Sequence, residues 1–161
     1  MMSTVQTNVS RLLFSMFLLL IFFSCSKKNR ENTISSTSTE EITFIGFSNV
    51  GGESGNYSNV RITQDSIHFE DGTTANRKHN EWHKAITPAI WKNLVSSFKI
   101  KDLSLVESSP SIQHLDGIDE TFQIKTSKKS HVFVNAYSDV HYRQFEEFKI
   151  KLKNILPKQS Q

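Results

Sequence analysis

His79 and His83 flank Glu81 in the run Lys78-His79-Asn80-Glu81-Trp82-His83. On an extended strand these three side chains share one face, so two imidazoles and a carboxylate would converge as metal ligands do. Zinc takes three or four ligands in a tetrahedral array. The zinc-protease helix instead needs its glutamate directly after the first histidine, so solvated strand residues are the expected role. Asp116, Asp119 and Glu120 in LDGIDE carry oxygens suited to calcium. The twelve-residue loop that would space such ligands is missing, and an exposed acidic turn is expected. Gly51-Gly52-Glu53-Ser54-Gly55 could present backbone N–H groups to an anion. No Lys-Ser/Thr follows it as in a phosphate loop, so a plain hairpin loop is expected. Six histidines and many serines make chance Ser–His–acid triples easy to draw. No Gly-x-Ser-x-Gly elbow singles out a nucleophile, and paired carboxylates for glycoside hydrolysis cannot be picked by spacing alone. No catalytic or metal-ligating residue and no cofactor is therefore assigned, and the chain is expected not to be an enzyme.

The elements that must position these groups are legible from period and punctuation. Ile42 to Phe47 reads as a first strand, followed by the glycine-rich stretch from Asn49 to Ser58. Val60 and Ile62, then Ile67 and Phe69, alternate with polar residues about a Gln64-Asp65 turn, which is hairpin chemistry. Asp71-Gly72 marks a second turn, and a strand over Lys78 to Lys84 would turn Trp82 inward. Thr87 and Pro88 are an N-cap and first helical residue, with Ile86 placed to staple onto Trp91. Trp91, Leu94, Val95 and Phe98 repeat as one helical face. Lys99 to Gly117 reads as a connection from which Ile100, Leu103, Leu105 and Val106 dip into the core. Phe122 and Ile124 mark another strand, and Ser127-Lys128-Lys129 a turn. The next strand, His131 to Tyr137, is apolar on both faces except at His131 and Asn135 and is expected in the centre of the sheet. Asp139 is expected to cap a last helix that buries Tyr142, Phe145, Phe148, Leu152, Ile155 and Leu156, leaves Ile150 on its polar side and ends at Pro157. The sequence predicts an α+β fold: a mainly antiparallel sheet of about five to six strands with two amphipathic helices packed on one face.

The amino-terminal region carries the sharper signal. Leu12 to Phe23 reads LLFSMFLLLIFF, with Arg11 before it and Ser24-Cys25-Ser26-Lys27-Lys28 after. The run is short of the roughly 20 apolar residues needed to span a bilayer and fits the apolar region of a signal peptide. Together with the single cysteine behind it, it resembles the signal peptide and lipobox of a bacterial lipoprotein. That resemblance implies cleavage after Ser24 and acylation of Cys25. The alternatives are an uncleaved anchor or an ordinary secretory signal. Phe22 and Phe23 depart from the preferred residues of the box. Each buried methylene adds about 0.8 kcal/mol to anchoring. With Cys25 acylated, no intrachain disulfide is possible and the domain rests on its core. The expected organisation is a signal peptide over 1–24, an acylated Cys25 with a polar, disordered tether over 25–41, and one domain over 42–157. Lys27, Lys28 and Arg30 lie where they could touch anionic head groups, although a solvated spacer is the simpler role.

Of the 19 lysines and arginines only Arg11 precedes Cys25, so the remainder nearly balance the 16 acids. The basic balance of the whole chain is no argument for nucleic acid, whose binders cluster their charge and carry groove-reading motifs. Several stretches are similar to small Bacteroidota (flavobacterial-type) envelope lipoproteins of unknown function: FFSCSKK, GGESGNYSNVRI, EWHKAITPAIWKNL and LDGIDETFQIKTSKKSHVFVNAY. Some members carry cysteine pairs near the first hairpin and before the acidic turn, and this chain has none. The resemblance implies a lipid-anchored protein of the cell envelope, at the outer membrane, and transfers no catalytic residue. Asp65-Ser66-Ile67 resembles the O-glycosylation acceptor of such envelope proteins, which would place a glycan on Ser66. The expected role is a non-enzymatic binding or structural module with an envelope protein or glycan as partner; the alternative is an inhibitor or immunity-type protein that blocks an envelope-acting toxin or hydrolase. Glu53, Asn56 and Tyr57 on the glycine-rich loop are the expected contacts, with Tyr57 as the aromatic anchor.

Overall fold

The computed structural model describes residues 39–157. The signal-peptide region, Cys25 and all but the last three residues of the expected tether lie outside the described residues. The chain joins the sheet slightly before Ile42. Glu40 accepts a hydrogen bond from the Thr126 hydroxyl, and Glu41 C=O accepts from Ser127 N–H at 2.8 Å.

Six strands form one antiparallel sheet: β1 (Ile42–Gly51), β2 (Asn56–Ile62), β3 (Ser66–Thr73), β4 (Lys78–Ala85), β5 (Ile118–Thr126) and β6 (Ser130–Val134). Their spatial order is β4-β3-β2-β1-β5-β6. Helix α1 (Pro88–Val95) follows β4, and helix α2 (Arg143–Lys153) closes the fold. The α+β expectation holds, and the element order is the one that the hydrophobic period gives.

Register explains where the core sits. Ile67, Ile62, Ile45 and Ile124 stand directly opposite one another across β3, β2, β1 and β5, and all four are fully buried. The adjoining row runs Trp82, Phe69, Val60, Phe47, Phe122 and Phe133 across all six strands. One row further along, the same face turns polar: Asn80, Asp71, Ser58, Asn49 and Glu120. The helices cover the two apolar rows. Trp91 and Leu94 come down from α1 and Phe145, Phe148 and Leu152 from α2. Phe98, just past the end of α1, packs on Phe145 and Phe148 of α2, with ring centroids at 5.6 and 5.2 Å. Each fully buried Phe or Leu contributes about 1.5–3 kcal/mol, so this stack holds the domain without a covalent staple. Thr87 caps α1, its hydroxyl accepting from Ile90 N–H at 3.3 Å.

Five expectations are corrected. Asp71-Gly72 does not turn the chain: both residues pair within β3, opposite Asn80 and His79, and the turn falls at 74–77. β6 is an edge strand, not a central one, with Val132 56% exposed. Its second apolar face is covered by no layer; only Phe133 reaches the core, while Val132 faces outward. Asp139 does not cap α2. Asp139 ends the 3₁₀ turn Ala136–Ser138, a further turn over residues 140–142 separates it from α2, and its carboxylate instead accepts from His141 N–H at 2.6 Å and Glu107 N–H at 3.0 Å. Leu105 is exposed rather than in the core, whereas Leu103 is buried. The glycine-rich loop is also shorter than its composition suggests: β1 runs to Gly51 and β2 starts at Asn56, which leaves a tight turn.

Candidate functional site

The β1–β2 turn is held from both sides. Gly52 N–H donates to Gly117 C=O at 3.1 Å, while Thr74 and Ala75 N–H donate to Gly55 and Ser54 C=O at 3.1 and 3.2 Å. Gly51 has φ of +136°, and a Cβ there would stand 2.1 Å from Gly117 O, so only glycine permits this approach. Glu53 is exposed in the turn. Asn56 and Tyr57 are neighbours on β2 and so face opposite sides of the sheet. The Asn56 side-chain oxygen accepts from the Thr73 hydroxyl at 3.0 Å. Tyr57 lies flat across Gly72 to meet His79, with Oη 2.7 Å from Nδ1 and ring centroids 6.2 Å apart. Gly72 makes this possible, because a Cβ there would stand 2.4 Å from the Tyr57 Oη. Asn56 and Tyr57 nonetheless border one shallow concavity that Glu53 does not line, and the Tyr57 hydroxyl is engaged within the sheet.

Glu81 and His83 share the outer face of β4 with His79, as alternation requires. Glu81 lies 3.4 Å from His68 on the neighbouring strand. Among the described residues no group of three or more His, Cys, Asp or Glu is arranged to hold a metal. Ser66 is exposed at the β2–β3 turn. Its Oγ donates to Asp65 Oδ1 at 3.1 Å and lies 2.8 Å from Thr63 Oγ1. The hydroxyls of Thr63 and Ser66 hold the Asp65 carboxyl below its ordinary value.

The acidic turn divides into three separate roles. Asp116 ends the 3₁₀ turn Gln113–Leu115 in a left-handed conformation. Asp119 is buried, and its Oδ1 accepts from Ile112 N–H at 2.9 Å and from the Asn135 amide at 2.7 Å. Hydrogen bonds from Ser111, Ile112 and Asn135 hold its carboxyl below the usual range. Glu120 turns to the helix side and accepts from the Tyr142 hydroxyl and, at 2.8 Å, from Lys149 Nζ. Burial, followed by the bond to Glu120, pushes the Tyr142 hydroxyl up to about 12. Burial works against the Lys149 ammonium, but its bonds to Glu120 and Tyr142 outweigh that and raise its pKa.

Asn135, which sequence reasoning passed over, joins these parts. It is fully buried with φ of +48°. Its amide nitrogen donates to Pro110 C=O at 3.1 Å as well as to Asp119, while its side-chain oxygen accepts from Glu120 N–H at 2.9 Å. Its backbone N–H returns a bond to Glu120 C=O at 2.8 Å. The one available signal is its residue type: asparagine is enriched among non-glycine residues at positive φ. The lock positions the 107–117 connection against β5 and β6.

A concavity of about 310 Å³ is bordered by Asn56, Tyr57, Gly72 and Lys78, and two others stand out. One, of about 320 Å³, lies between the end of α1 and the start of α2 and includes Ser97, Lys99, His141, Arg143 and Gln144. Gln144 spans it, accepting from Lys99 N–H and donating to His141 C=O, both at 3.1 Å. The other, about 450 Å³ and shallow, lies on the helix-free face of the sheet around Phe44, Asn59, Arg61, Glu70, Gln123 and Val132. Arg61 and Asn59 both approach Glu70, at 3.5 and 3.3 Å, and Lys125 Nζ sits 4.9 Å over the Phe44 ring. None of the described helices is long and apolar enough to cross a membrane. No protein-family model matches the chain, and no curated protein matches it.

Proposed function

We propose that this chain is a lipid-anchored protein of a bacterial cell envelope, held at the outer membrane, and that its domain is a binding module rather than an enzyme. The observation that carries the reading is the position of Cys25, immediately behind the apolar run Leu12–Phe23. The domain supports it in a second way. The helix-free face offers a broad, shallow surface with an aromatic ring, carboxamides and an Arg–Glu pair. Such a mixture suits an envelope protein or a glycan. An exposed Ser66 at a hairpin turn is sterically open to glycosylation.

Metabolic labelling with a fatty-acid analogue tests the anchor. Label is expected on the wild-type chain and absent from Cys25→Ser; equal label in both overturns the reading. Pulldown from envelope extract with the acylated protein tests the module. A partner lost on Arg61→Glu supports it, and recovery of a secreted toxin or hydrolase as that partner would favour the inhibitor reading.

A further inference from the structure

The two borders of the sheet are unlike, and β4 is the open one. Antiparallel pairing alternates residues whose N–H and C=O face the neighbouring strand with residues whose groups face away. Ile86 N–H donates to Asp65 C=O at 2.8 Å, and the β3–β4 register sets Lys84 opposite Ile67, Trp82 opposite Phe69 and Asn80 opposite Asp71. Asn80, Trp82 and Lys84 therefore spend their backbone groups on β3. Those of His79, Glu81 and His83 point away from the sheet, and no described residue bonds to them. Every β4 side chain except Trp82 is exposed, so no helix overhangs this border.

We infer that β4 is a homodimerisation edge, pairing antiparallel with β4 of a second copy about a two-fold axis at Trp82 to form one continuous sheet. The side chains are self-complementary in this register and poorly matched in its neighbour. Centring on Trp82 sets Glu81 opposite the second copy's His83 on the outer face, once on each side of the axis. It also sets the two half-buried Trp82 rings opposite each other on the helix face, extending the apolar row of the core from one sheet into the next. Asn80 then faces Lys84. Centring on Glu81 would set two carboxylates directly opposite, which is destabilising, and centring on Asn80 would set Trp82 opposite Lys78. Open edges of this length are templates for strand addition unless something blunts them. Here the charges that would blunt a foreign strand alternate in sign so as to admit this one. The pairing is independent of the lipid anchor.

Disulfide trapping reads the register directly. In the full chain carrying Cys25→Ser, purified in mild detergent, Asn80→Cys/Lys84→Cys places each new cysteine opposite its partner in the second copy. Their Cα atoms would be about 4.5 Å apart, as in a non-hydrogen-bonded pair, within the range of roughly 4.4–6.8 Å that a disulfide bridges. Within one chain the same residues lie about 13 Å apart along the strand, at about 3.3 Å per residue, and cannot pair. The expected result is a covalent dimer from the double variant under mild oxidation and at least tenfold less from Asn80→Cys alone. No covalent dimer, or equal yields from both, overturns the proposal. Sedimentation velocity of the same Cys25→Ser chain provides a second reading. Glu81→Lys should weaken dimerisation at least tenfold, and Glu81→Lys/His83→Glu should restore it. A monomer at every concentration before further substitution, or a Glu81→Lys chain that dimerises unchanged, also overturns it.

Discussion

β6 and β4 border the same sheet and solve the edge problem in opposite ways. β6 is five residues long, carries Phe133 in the core, and has its carboxyl end covered: Ser109 N–H donates to Val134 C=O at 2.9 Å, and Val134 N–H donates to the Ser108 hydroxyl at 3.0 Å. Unpaired backbone beside apolar side chains invites aggregation, and here the 107–110 connection removes part of the invitation. β4 is eight residues long, almost wholly exposed, and polar except at Trp82 and Ala85. Its protection against non-specific pairing is charge, which leaves its backbone free. The covered edge is bound to the interior through Asn135, Asp119, Glu120, Tyr142 and Lys149. The open edge contributes little to the core beyond Trp82. The border most available to a partner is thus also the one that the fold needs least.

Truncating the core residue of each edge tests this most strongly. Phe133→Ala should cost about 3–5 kcal/mol, the range for a buried aromatic, since its ring packs on Phe145 with centroids at 5.3 Å. Trp82→Ala removes a larger ring from a half-buried site and should cost roughly 1–2 kcal/mol. Denaturant midpoints measure both; equal losses would dissolve the distinction between the borders.

Next in size is the lock itself. Asn135→Ala deletes three side-chain hydrogen bonds, leaves Asp119 short of a partner and forces alanine to a positive φ. It should cost about 2–4 kcal/mol. Asn135→Gly relieves the backbone and isolates the amide's share. In both variants the Val134 N–H should exchange faster with solvent as the 107–110 cover loosens. Unchanged exchange there would show that the cover stands without the lock.

The period and capping residues made most of the fold legible, because strand alternation and the helical face at Trp91, Leu94 and Phe98 record burial directly. They failed where burial depends on long-range placement. Val132 and Val134 read as buried on the far face, yet strand order decides that, and no residue of β6 itself encodes its neighbours. Asp139 looked like a helix cap since its type suits one. It caps a turn instead, because its carboxylate was needed to tie Glu107. The helix-side polar row, with Glu120 reaching Tyr142 and Lys149, joins residues far apart in the chain and leaves no local pattern. Tyr57 read as a loop residue because glycines before it hid the start of β2.

Alkaline titration probes the covered border at smaller amplitude. Tyr142 has its pKa raised to about 12 and that of Lys149 is also raised, so both bind protons more tightly in the folded chain. Their stabilisation is complete below their unfolded values and is lost as pH rises through the folded ones. Stability should therefore fall between about pH 10 and pH 12, by about 1–2 kcal/mol, and Tyr142→Phe should flatten that fall. A wild-type curve already flat across this window would mean that Glu120, Tyr142 and Lys149 are not coupled.

The smallest effect belongs to the open side. Tyr57→Phe keeps the ring over Gly72 and deletes only the bond to His79, which is exposed to competing water, so the loss should be no more than about 0.5–1 kcal/mol. Tyr57→Ala bares the groove that Gly72 leaves and loses the ring contact as well. The pair separates two roles for this tyrosine. If it serves the sheet alone, Tyr57→Ala lowers the denaturation midpoint but leaves affinity for a captured partner within about twofold, well under 1 kcal/mol. If it also anchors a partner, affinity falls at least tenfold by calorimetry with the fold intact, and Tyr57→Phe retains most of it. The flat seating of the ring favours the first outcome, because an anchor must project into its partner's pocket, whereas this ring lies along its own sheet with its hydroxyl spent on His79.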